Sequence, residues 1–106
     1  MDNYDWDYSE YSDILHIHKK DQPTKGSVQL GDFTLDFGNN DKIVGIEIEH
    51  ASEFLGNVDI NKTSLRNIQE AGFVIDTRNP QCQLIFLKLK LADVVKKIPV
   101  PMPIVA

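Results

Sequence analysis

Apolar residues recur at every second position over separate stretches of this chain, and no other feature constrains its fold as strongly. Leu15 and Ile17 alternate with His16 and His18. Val44, Ile46 and Ile48 alternate with Gly45, Glu47 and Glu49, and Ile85, Leu87, Leu89 and Leu91 alternate with Phe86, Lys88 and Lys90. Successive side chains of a strand point to opposite sides, so a period of two marks strands with one face buried and one in water. The chain has 106 residues, enough for one modest core and too few for two, which predicts a single domain.

The chain divides into four parts. Residues 1–10 form an acidic segment with Tyr4, Trp6 and Tyr8; a solvated tail rarely carries such aromatics, so at least Tyr8 is expected to dock on the body. Residues 11–56 hold a β-meander and a helical turn. A first strand covers 11–18, and Pro23 and Gly26 mark a loop over 21–26. In the second strand the phase slips: Val28 and Leu30 are even, Phe33, Leu35 and Phe37 odd, with Gly31-Asp32 between. That slip predicts a β-bulge or a tight bend at the glycine. Residues 38–41 have turn chemistry, and a third strand covers 42–49. Ser52 is placed to cap a single helical turn that Gly56 would stop.

Residues 57–98 are expected to form a helix and a β-hairpin. Asn61 is the helix N-cap, Ile60 and Leu65 can form a hydrophobic staple, and Leu65, Ile68 and Ala71 recur at spacing three up to a stop at Gly72. Strands over 73–77 and 81–91 then flank a turn at Arg78, Asn79 and Pro80. The link through Leu91, Val94, Val95 and Ile98 is open between strand and helical turn. Residues 99–106 carry Pro99, Pro101 and Pro103 at alternate positions. Those prolines remove donors along one edge of an extended chain and leave the amides of Val100, Met102 and Ile104 free to pair on the other. The predicted class is α+β: an antiparallel β-meander, a short helix layer and a C-terminal hairpin.

Composition narrows the function classes. The hydrophobic share is 42% and the charged share 25%, ordinary for a globular protein. The net charge of −5, with bases scattered in small pairs, argues against nucleic acid, whose phosphates need a basic surface. The run Leu84-Ile85-Phe86-Leu87 is far short of the ~20 residues that cross a bilayer. An acidic N-terminus lacks the bases of a signal peptide, so a cytoplasmic location with no membrane partner is expected. Cys82 alone can form neither an internal disulfide nor a thiolate metal cluster, and its strand setting points to a structural role.

Laid side by side, the strands give one polar face bearing His16 and His18, Thr34 and Asp36, Glu47 and Glu49. Two imidazoles with carboxylates suit a divalent metal, and His16, His18, Asp36, Glu47 and Glu49 are the ligand candidates. Any sheet covered on one side also turns a polar face to water, and alternation alone produces this set. No cofactor motif, catalytic spacing or phosphate-cradling loop accompanies it. His50, which follows the third strand, is expected to cap or hydrogen-bond near the helix start at Ala51-Ser52. The tail offers a different surface: Ile98, Val100, Met102 and Ile104 could fill the pockets of a neighbouring sheet, or close the chain's own.

Tyr8, Asp13, Leu15 and Ile17, then Asp36-Phe37-Gly38-Asn39-Asn40-Asp41-Lys42-Ile43-Val44-Gly45-Ile46-Glu47-Ile48, then Ala51-Ser52, form a pattern of their own. Over residues 8–52 it resembles a family of small prokaryotic proteins known as domain of unknown function 2283. The resemblance implies a β-meander followed by a helix and no catalytic residue. It also implies an antitoxin-like or partner-binding role, since some members lie beside genes for small toxin-like proteins. The function expected on these grounds is a non-enzymatic interaction or self-assembly module, a homo-oligomer or the binder of a small protein. The alternative is a metal-binding protein or metal-dependent enzyme using the His/carboxylate face.

Overall fold

The alternating stretches become two antiparallel sheets in the computed structural model, which describes residues 3–79, 81–101, 104 and 105. The first sheet has five strands in the order β1 (Tyr4–Ser9), β2 (Ile14–Lys19), β5 (Ile43–Ile48), β4 (Phe33–Phe37) and β3 (Gly26–Leu30). An antiparallel meander is present, but its strands are β3, β4 and β5: the single second strand expected over 28–37 is two strands, and the expected first strand, β2, lies beside β5 instead. The β1–β2 hairpin joins it through pairing of β2 with β5.

Two readings of the first half change. The acidic segment is itself a strand: Tyr4, Trp6 and Tyr8 turn toward the core while Asp5 and Asp7 stay exposed. Its alternation is written in aromatics and acids, which hid it. The phase slip at Gly31-Asp32 is the tight bend, and it reverses the chain completely, with Leu30 opposite Phe33. Gly31 has φ +60, the positive value a two-residue hairpin turn needs at its first central position. The bulge lies elsewhere, where Asp36 faces Gly45 and Phe37 faces Ile43. Val44 is the extra residue there. It is buried, but the core cluster takes Ile43 beside Ile46 and Ile48 instead.

The second sheet runs β6 (Ile68–Asp76), β7 (Cys82–Leu91) and β8 (Val94–Pro99), with β9 (Ile104–Val105) also on β7. Strand β8 covers one side of β7 from Phe86 to Leu91, and β9 pairs with Cys82 and Gln83 on that strand. Between them the Val100 amide donates to the Ile85 carbonyl at 2.9 Å. The tail therefore completes its own sheet, and Ile98 and Val100 are buried in the core. Met102, Pro103 and Pro80 lie outside the described residues.

Two short helices, α1 (Ala51–Gly56) and α2 (Lys62–Arg66), link the sheets. Asn61 caps α2 as its sequence predicts, its Oδ1 accepting from the Ser64 amide at 2.9 Å. Ile60 and Leu65 are both buried. The helix nevertheless stops at Arg66, and Ile68 and Ala71 belong to β6. Five residues of helix cannot sustain themselves, whereas pairing with β7 satisfies the backbone and turns Ala71 and Phe73 inward. The ambiguous link at Leu91–Ile98 is likewise resolved as strand, after a turn in which Ala92 has φ 51. One core cluster draws Leu15, Ile17, Leu35, Ile46 and Ile48 from the first sheet. Phe73, Ile85, Leu87 and Leu89 come from the second, with Leu55 and Leu65 from the helices.

Candidate functional site

Register decides which polar side chains meet on the outer face of the first sheet. One row reads Asp7, His16, Glu47, Thr34, Gln29; the next reads Asp5, His18, Gly45, Asp36, Ser27. Gly45 leaves a hollow in the second row. A Cβ there would stand 2.6 Å from Asp36 Oδ2 and 2.7 Å from His18 Cδ2, so the absence of a side chain is what lets both neighbours lean in.

Asp36 fills that hollow at 8% exposure. Its carboxylate accepts from Ser27 Oγ at 2.8 Å and from His16 Nε2 at 3.1 Å. His18 is held at both nitrogens: Nδ1 donates to the Lys19 carbonyl at 2.7 Å, and Nε2 accepts from the Thr24 hydroxyl at 2.9 Å. The two imidazoles meet edge to face at 5.9 Å. A buried carboxylate is stable when its lone pairs are filled in this way.

The five ligand candidates therefore do not converge. His16 and Asp36 are joined, while His18 lies beside them with neither nitrogen free for a metal. Glu47 stands in the row between His16 and Thr34. Glu49 lies past the end of β5, where its amide donates to the Asp32 carbonyl at 2.8 Å. Among the described residues, no group of three or more His, Cys, Asp or Glu side chains is placed to hold a metal. Ser27, Thr24 and Gly45 were not legible as parts of this cluster, because each acts only through strand register or loop position.

A second cluster ties the sheet to α1. The Asp13 carboxylate accepts from the Tyr8 hydroxyl at 2.6 Å, the Ser52 hydroxyl at 2.7 Å and the Ser52 amide at 3.0 Å. The Asp13 carbonyl takes the Ala51 amide at 3.0 Å. Asp13, in the turn between β1 and β2, thus caps α1, the role the sequence assigns to Ser52. Burial pushes the Asp13 carboxyl up, but the bonds from Tyr8 and Ser52, with Lys62 nearby, outweigh it and leave it below the usual carboxylate range. Burial and that carboxylate together raise the Tyr8 phenol. His50 sits at the N-cap position with φ 53 and makes no side-chain cap. Its Nδ1 meets Asp32 Oδ1 at 3.2 Å instead, and that bond raises its pKa.

The third feature is the free side of β3. All five of its residues are exposed. Val28 pairs with Leu35 and Leu30 with Phe33, so both point to the core side of the sheet, yet they remain 47% and 54% exposed. The strand overhangs the core. The tail residues behave in the opposite way: Ile98 and Val100 are buried in their own chain, and Ile104 lies opposite Gln83. Cys82, partly buried, opens β7.

No helix among the described residues is long and apolar enough to cross a membrane. No curated protein and no solved structure matches the chain. One family model does, and its span runs from β1 into α1, enclosing the Asp36–Gly45 hollow, the Tyr8–Asp13–Ser52 tie and β3. Residues 6–52 match the family described as "Protein of unknown function (DUF2283)".

Proposed function

We propose that the protein is a non-enzymatic, cytoplasmic interaction module that works by self-assembly through the edge of its first sheet. One observation carries the reading: β3 is an outermost strand, exposed at every residue, with no proline and no charge within it. Natural sheets blunt such edges with prolines, charges or covering elements, because open amides and carbonyls recruit another strand. The other outer strands carry those devices. Strand β1 exposes Asp5 and Asp7 and lies against β6, where the Tyr4 hydroxyl donates to the Phe73 carbonyl at 2.7 Å. Strand β8 carries Lys96 and Lys97 and ends at Pro99.

The polar cluster of His16, Asp36 and Ser27 supports a structural more than a catalytic use, since its buried groups are satisfied by one another. A cytoplasmic setting agrees with the single cysteine. The antitoxin-like role implied by the family resemblance is a variant of the same reading, in which a small protein supplies the added strand. Light scattering on size-exclusion peaks of untagged protein, over a concentration series, tests the reading. A defined oligomer is expected; a monomer throughout the series would overturn self-assembly.

A further inference from the structure

We infer that the partner at this edge is a second copy of the chain, paired β3 to β3 antiparallel about a two-fold axis at Val28. The inference rests on the assembly reading and narrows it to one register. The two-residue turn makes Leu30 and Phe33 a hydrogen-bonded pair, so Val28 and Gly26 also direct their backbone groups to β4. Ser27 and Gln29 direct theirs to the free side. An axis at Val28 sets Ser27 of each copy opposite Gln29 of the other. Each pair exchanges both backbone bonds, so the open groups of both residues are filled.

The same register matches side chains. Leu30 of one copy falls opposite Gly26 of the other, on the core side of the sheet. A Cβ at Gly26 would meet nothing within 4 Å, and beside it lies an open recess of about 420 Å³ floored by Val28, Phe37 and Gly38, with the charged Lys25 and Asp41 also in its walls. Among the described residues, the overhanging Leu30 stays 54% exposed and the recess stays open. Two-fold pairing brings each to the other twice, as an isologous contact must. The continued sheet also sets Val28 against Val28 as a non-hydrogen-bonded pair, where cross-strand side chains approach most closely.

Cysteine crosslinking reads the register directly. In a Cys82→Ser background, Val28→Cys should convert to a disulfide-linked dimer in a buffer of reduced and oxidised glutathione, the oxidised form being reduced to two thiols, because a non-hydrogen-bonded pair lies within disulfide reach. Leu30→Cys, whose partner is Gly26, should stay unlinked. Gln29→Pro, which removes one amide from each copy at the free side, should weaken dimerisation by roughly thirtyfold or more with an unchanged circular dichroism spectrum. A dimer weakened by Gln29→Pro but with Val28→Cys unlinked would overturn the register at Val28 and leave assembly through the β3 edge standing, whereas a dimer that survives Gln29→Pro would overturn both. A wild-type monomer at every concentration would overturn both.

Discussion

At one side of the second sheet, β8, Val100 and β9 close off β7 from within the chain, burying Ile98 and Val100 as they do so. At the far side of the first sheet, β3 is outermost among the described residues, and Val28 and Leu30 are exposed. The closed side uses apolar side chains and prolines. The open side is backed by a polar face, with Ser27 bonded to Asp36 and Asp36 to His16. The closed edge and the open edge are thus separated in space. The second sheet spends its edge on its own core, while the first is held from behind by hydrogen bonds and keeps its edge available.

Ending the chain at Pro99 breaks the closed side and should have the largest effect. Losing buried Val100, its bond to Ile85 and the β9 pairing should cost about 4 kcal/mol, read from urea unfolding; an unchanged midpoint would show that the closure contributes nothing. Next comes the tie behind the open side. Asp13→Ala leaves the Tyr8 hydroxyl and the Ser52 amide without their acceptor, at about 3 kcal/mol, and Asp13→Asn should recover part of that. Because folding lowers the Asp13 pKa, its contribution is complete above the ordinary value of 3.8 and fades as pH falls through the lower native value. Asp13→Asn should therefore flatten the acid limb of a stability profile.

Gly45→Ala should cost about 2 kcal/mol, since the new methyl collides with Asp36 and His18 and neither can retreat without losing a bond. Leu30→Ser, by contrast, should change monomer stability by no more than about 0.5 kcal/mol, as fits an overhanging residue. Matching the cost of a buried leucine would show the edge to be covered already. The smallest effect belongs to His50. Asp32 raises its pKa, so its contribution is present below the ordinary value of 6.5 and is lost as pH rises through the raised one. A melting-temperature comparison between about pH 5.5 and about pH 8.5 should show a slight drop in low salt, absent in His50→Asn.

Strands with aliphatic alternation were legible in the sequence: β2, β5 and β7 fall where Leu15, Ile46 and Leu87 place them. The Asn61 cap was legible because its bond is local. What was hidden depends on contacts distant in sequence. The Asp13 cap on α1 joins residues on separate elements, and the exchange of Val44 for Ile43 in the core follows from a bulge set by β4. Leu65, Ile68 and Ala71 imitate a helix because spacing three is also compatible with a helix end followed by a strand. His16, His18 and Asp36 were correctly placed on one face, but the hollow at Gly45 that lets Asp36 sink among them shows only once three strands are in register. The free edge was masked because the turn at Gly31 read as an irregularity within one strand.

The pairing of β2 with β5 has a consequence for the order in which the molecule assembles. Strands β3, β4 and β5 are joined by short connections and can pair almost as they meet, and so can β1 and β2. The β2–β5 contact must close the whole stretch between Lys19 and Ile43, and the loop entropy of that step falls due before its contacts form. The β1–β2 hairpin and the β3–β4–β5 meander therefore meet late, at the middle of the sheet. Until they do, β5 is itself an open edge, and the hydrophobic run Ile43–Ile48 is the segment that a crowded folding reaction would expose longest.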